Sequence, residues 1–211
     1  MKKIFLISTL IIGTTLFNSC NKVEIPEEII KKTIVKDERN AIRSLIADLY
    51  GRENVSFSEI ASAVCQKFGI DEKEVKFQEG ESIADVSDAA LSVVDKLSAV
   101  DALDFSTHRE YLFALDNVLE ECRSILTDTE YTALLVSLYV TSDILDQIGI
   151  NSKSGWWNRW GRCAAGILGG AGIGALTGAG IAAIPTLGLG VPAGAIIGGI
   201  SGGLTRAATF C

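Results

Sequence analysis

The last quarter of this chain limits what it can fold into more than any other part. From position 163 to 205 no side chain is charged, a run of 43 residues, and 14 of the 21 glycines lie beyond Cys163. Residues 164–184 form one apolar arm and 193–210 a second, separated by an insert at 185–192 that Pro185 and Pro192 bound. As helices the arms would reach about 31 and 27 Å, close to the hydrocarbon thickness of a bilayer. Glycine weakens a water-exposed helix by about 1 kcal/mol relative to alanine. Yet Gly166, Gly170, Gly174 and Gly178 recur every fourth position, and Gly190, Gly194, Gly198 and Gly202 repeat the spacing. Such a stripe lets a second backbone approach closely, which is how helices pair in lipid. The reading is a helical hairpin meshed through its glycine faces, with Ile167, Ile173, Leu176, Ile181, Ile196, Ile197, Ile200 and Leu204 on the opposite faces. A soluble hairpin buried against the rest of the chain fits the same pattern.

The flanks favour a membrane. Trp156, Trp157 and Trp160 stand just before the hairpin with Arg159 and Arg162 among them, and Arg206 sits near its far end. Aromatic rings and cations of this kind belong at the headgroup level. A hairpin also brings Cys163 and Cys211 to its open end, so a disulfide is expected there. The two arms resemble the glycine-zipper two-span segments of bacterial envelope lipoproteins, and also the Gly-rich helices of two-peptide bacteriocins. The resemblance covers about 50 residues and implies membrane insertion or self-association through Gly166, Gly170, Gly174, Gly178, Gly194, Gly198 and Gly202. Neither family fixes an activity.

The opposite end carries a targeting segment. Lys2 and Lys3 precede 14 uncharged, largely apolar residues, 4–17, too few to span a bilayer as a helix but suited to a secretory signal. Phe17-Asn18-Ser19-Cys20 resembles the lipobox of bacterial lipoproteins. That resemblance implies removal of residues 1–19, palmitate-type acylation of Cys20, and firm attachment at about 0.8 kcal/mol per buried methylene. Asn21, which is not Asp, points to the outer membrane. Residues 20–36 then read as a charged tether, with a short helix at 27–34.

Between tether and tail, residues 37–150 hold most of the acid that brings the chain to a net charge of -7. An acidic surface excludes a nucleic-acid binder. Apolar positions recur at helical spacing: Ala41, Leu45, Ile46 and Leu49; Ile60, Ala61, Val64 and Phe68; Ala90, Leu91, Val94 and Leu97 within 83–103; Leu112, Leu115, Val118 and Leu119; Leu134, Leu135, Leu138, Ile144 and Leu145. Ser56, Thr107 and Thr127 each precede a Glu by three residues, which is the helix-capping pattern, and Gly51, Gly69 and Gly149 are stops. The expectation is all-α: about five helices forming a small bundle, then residues 151–162 as a Trp/Arg interfacial segment and 163–211 as the hairpin.

Catalytic chemistry finds no footing. His108 is the only histidine, so His-based metal clusters are excluded, and it sits one residue after a cap on what reads as the surface. Glu120-Glu121 and Asp143/Asp146 read as solvated faces, and the glycine-rich tail lacks the Lys-Ser/Thr of a phosphate loop. Cys65 and Cys122 either pair across two helices or are small buried residues. No enzyme, cofactor or metal is expected. The expected function is a membrane-anchored envelope lipoprotein whose hairpin inserts or oligomerises while the helical domain binds a protein partner; the alternative is a membrane-active, bacteriocin-like or pore-forming effector.

Overall fold

The computed structural model describes residues 36–52, 55–73, 75, 86–100, 105–149, 156–181 and 192–211. The signal segment, Cys20, the tether with its expected helix at 27–34, and most of the insert between the arms lie outside the described residues.

Every regular element described is helical: α1 Lys36–Leu49, α2 Phe57–Phe68, α3 Asp88–Ala99, α4 His108–Glu121, α5 Asp128–Gln147, α6 Trp156–Ile181 and α7 Ala193–Phe210. A single 3₁₀ turn, Arg123–Ile125, links α4 to α5. The helix starts follow local chemistry. Ser56 and Thr127 each accept from the backbone N–H three residues on, and Glu59 and Glu130 accept from the cap backbone N–H in return. Thr107 accepts from the N–H of Glu110, while Ser106 N–H donates to the Glu110 carboxylate at 2.9 Å. Ser87, with no acid three residues on, caps α3 by accepting from Ala90. Gly69 ends α2 in the left-handed region at φ 66°, where a side chain would be strained.

α5 is the axis. Each residue from Tyr131 to Thr141 is buried. Three of its buried hydroxyls are satisfied along the helix: Thr132, Ser137 and Thr141 donate to the carbonyls of Asp128, Leu134 and Ser137 at 2.7, 2.6 and 2.7 Å. α5 packs against α1, α4 and both hairpin arms, α6 and α7; α3 contacts α6, and α2 contacts α7. The boundary expected near residue 150 is therefore not a packing boundary. Ile42, Ile46 and Leu115 belong to the same continuous core as Ile167, Ile196, Ile197 and Ile200, and all seven are fully buried. The reason is geometric: a helix buried all round, as α5 is over 131–141, needs a partner on every side.

Candidate functional site

The hairpin is the feature the sequence marks most strongly, and it is built on three contacts: with itself, across its open end, and with the acidic helices.

The two arms run antiparallel with Gly170 opposite Gly202, Gly174 opposite Gly198, and Gly178 opposite Gly194. A Cβ placed on Gly170, Gly174 or Gly178 would come within 2.9, 2.8 and 2.7 Å of the carbonyl carbon across the seam. The same holds at 2.7 Å for Gly198 and Gly202. These are backbone atoms, so no side-chain rotation relieves the clash. The absence of side chains allows the Cα–H groups of one arm to approach the carbonyls of the other. At Gly166 the stripe changes partner, because the Phe210 ring fills the space over it, 2.7 Å from where a Cβ would stand. Just beyond, Cys163 and Cys211 are joined by a disulfide, with Cα atoms 4.8 Å apart across 48 positions of sequence.

A second seam, not singled out in the sequence, faces α5. A Cβ on Gly203 would meet Ile144 and Val140 at 2.9 and 3.0 Å, and one on Gly199 would touch Ala175 and Val136 at 3.5 and 3.6 Å. Gly199 and Gly203 are thus the small residues that admit the bulky face of α5, with Ala171 and Ala175 of the other arm beside them. The four-residue spacing of Gly199 and Gly203 was the available signal, masked by the stronger stripe beside it. The hairpin's isoleucines divide accordingly. Ile167, Ile196, Ile197 and Ile200 are buried, whereas Ile173 is 37% exposed. Of the described helices, α6 alone is long and apolar enough to cross a membrane, a property that the core helix of a soluble protein shares.

The tryptophans also differ from expectation. Trp156 is 2% exposed, with its ring centroid 6.1 Å from Tyr111 and 6.3 Å from His108. Trp157 stands 5.2 Å from Phe105, edge-on, and 5.2 Å from Tyr111. Trp160 is half-buried, while Arg159 and Arg162 are exposed. α6 begins at Trp156, so the Trp/Arg segment is part of the helix. Its 3.6-residue period sends the rings towards the bundle and the guanidinium groups to solvent. The pattern suits a bundle rim as well as a headgroup layer.

His108 is not a surface residue. It is half-buried against Trp156, with Nε2 3.7 Å from Asp146, which Arg43 also reaches at 3.3 Å. Burial lowers its pKa, with Asp146 opposing and Arg109 assisting. Asp143, one turn before Asp146, is 1% exposed and neither carboxylate oxygen has a hydrogen-bond partner among the described residues. Burial pushes its pKa up to about 6, against the pull of Arg39 and Arg43 from α1, with Asp146 assisting. The two groups give opposite pH dependences. Asp143, raised in the folded state, contributes stability that is present below its unfolded pKa and lost as pH rises through about 6. His108, lowered in the folded state, contributes stability that is present above its unfolded pKa and lost as pH falls through its depressed folded value. Asp143→Asn is accordingly expected to raise the melting temperature at pH 7.5 by the equivalent of about 2–3 kcal/mol at most, with the gain gone by pH 4. Melting curves at both pH values check this; an equal gain at each contradicts it.

Cys65 and Cys122 are free, buried thiols, and Lys96 Nζ lies 3.6 Å from Cys122 Sγ. Among the described residues no group of three His, Cys, Asp or Glu side chains is gathered as a metal ion needs. Chemically, what the described residues of the hairpin do is pack. No protein-family model, no curated protein and no solved structure matches the chain.

Proposed function

We propose that the chain is a non-enzymatic envelope lipoprotein, tethered through acylated Cys20, whose acidic helices sheathe a membrane-competent glycine hairpin. The supporting observation is the covering of the hairpin. It is a closed unit, meshed by glycine and joined at its base by a disulfide, and its remaining apolar face lies on α5. The partner of the helical domain is then first of all its own hairpin. Self-association through Gly174 and Gly198 competes with the contact these residues already make with each other.

In this reading the lipid, and not the hairpin, holds the resting protein at the outer membrane. Cell fractionation of wild type and Cys20→Ala tests it. Wild type is expected with membranes and Cys20→Ala in the soluble fraction. Cys20→Ala retained fully on membranes means that the hairpin is already inserted, which sinks the sheath. A second reading, a membrane-active effector, is supported by one observation: α6, the one described helix long and apolar enough to span, has 56% of its apolar stretch buried in this fold, as a partly stored element would. Leakage of dye-loaded vesicles on addition of the purified chain selects that reading; intact vesicles select the resident one.

A further inference from the structure

Where α5 meets α7, the contact is glycine against aliphatic side chains. Where it meets α1 and α4, the contact carries charge. At the centre of that charged row is Asp143, 1% exposed, with no hydrogen-bond partner for either carboxylate oxygen among the described residues. Buried carboxylates are rarely left so. Cations stand close by. Arg39 lies over the Tyr139 ring, 4.6 Å from its centroid, and Arg43 reaches Asp146 at 3.3 Å. α1 and α5 thus run in the same direction, and Asp143, between Tyr139 and Asp146 on α5, sits between the two guanidinium groups along the seam. Both positive charges act on it, but burial dominates and holds its pKa up at about 6. The arrangement is that of the neutral acid, with each arginine engaged elsewhere.

The other titratable groups along this row are Glu38, buried on the inner face of α1, and His108, Arg109 and Asp116 on α4. The charged residues of α6 and α7, Arg159, Arg162 and Arg206, are exposed. The two arginines differ in how firmly they are held. Arg39 covers a buried ring. The Arg43–Asp146 pair joins side chains 57% and 38% exposed, where water screens the attraction and little is lost on parting. An ionised Asp143, out of water, attracts the same guanidinium far more strongly. Asp146 has a second neighbour, His108, whose Nε2 stands 3.7 Å away, beyond hydrogen-bond length. His108 in turn packs on Trp156, the first residue of α6, with ring centroids 6.3 Å apart.

We propose that Arg43 is a two-position latch: it holds Asp146 while Asp143 is protonated, crosses to Asp143 when that group ionises, and leaves Asp146 to His108 at the base of the hairpin. The protons balance through water. Asp143 releases one, and Asp146, freed of its cation, draws His108 towards its protonated form, so the imidazole takes one up. A pH change felt in the α1 seam is thereby passed to the start of α6. The proposal rests on α1, α4 and α5 and holds whether or not the hairpin enters a membrane.

His108 is the only histidine of the chain, so its imidazole gives a single proton NMR titration. The full chain is followed from pH 4.5 to 8.5, with Asp143→Asn, Arg43→Gln and the double variant beside it. Asp143→Asn keeps Arg43 on Asp146, so His108 is expected to titrate at lower pH than in wild type. With Arg43→Gln in place, adding Asp143→Asn should move His108 by about half as much or less, because the carrier of the coupling is gone. A crystal structure at pH 4.5 is expected to have Arg43 on Asp146, and one at pH 8.5 to have it on Asp143. Arg43 on Asp146 at both pH values, or Arg39 on Asp143 at pH 8.5, overturns the proposal. So does an unchanged His108 midpoint in Asp143→Asn, or a shift as large without Arg43 as with it, which means that the carboxylate acts directly through space.

Discussion

Gly174→Ala is expected to destabilise the fold by about 3 kcal/mol or more, while Gly169→Ala on the same helix stabilises it by up to about 1 kcal/mol. The contrast follows from what each new methyl group meets. At Gly174 it would sit against the Gly198 carbonyl, within 2.8 Å of its carbon, and nothing there can rotate away. The arms would have to separate, and that strips Gly170–Gly202 and Gly178–Gly194 of contact along with it. At Gly169 the space within 4 Å is empty, so alanine brings only its better helix propensity. Gly180 is equally open and serves as a second control. A native fold has about 5–15 kcal/mol in hand, so Gly174→Leu with Gly198→Leu is expected not to fold. Thermal or denaturant melts of the single variants decide the matter. Equal small effects at Gly169 and Gly174 would mean that the seam does not exist in solution.

Removing the disulfide comes second in size. Cys163 and Cys211 close a loop of 48 positions, for which the chain-entropy account gives about 4 kcal/mol. For a domain of this size that corresponds to roughly 10 °C in melting temperature. Cys163→Ser with Cys211→Ser is therefore expected to melt about that much lower than the oxidised chain, and to match wild type under strong reductant. Cys65 and Cys122 provide an internal check, since both are free and their replacement by Ala or Ser should remove the reductant sensitivity of nothing. A melting temperature indifferent to reductant would show that the bond adds no constraint.

Several elements were legible in the amino-acid order because their causes are local. Amphipathic period and Ser or Thr caps locate α1, α2, α4 and α5 within a few residues. The glycine stripe and the two flanking cysteines define the hairpin, because a four-residue spacing of missing side chains has few other uses. What escaped was long-range. α5 carries a polar residue at Thr132, Ser137 and Thr141, yet it is buried all round, since each hydroxyl is satisfied within its own helix. Sequence alone does not announce that a helix will be enclosed on every side. The same holds for Trp156 and His108, which lie 48 positions apart and pack only because α6 begins against α4. A rim of Trp and Arg is written identically whether the rings face lipid or protein. Ser87, lacking a partnering acid, gives a weaker cap signal than Ser56 or Thr127.

The central claim is that the hairpin rests inside the protein's own core. Amide hydrogen exchange of the chain in detergent-free buffer addresses it directly. The account requires amides of 167–179 and 195–203 to exchange as slowly as those of 133–145, and all three segments to lose protection together as denaturant is added. Rapid exchange in the two hairpin segments while 133–145 stays protected would contradict it.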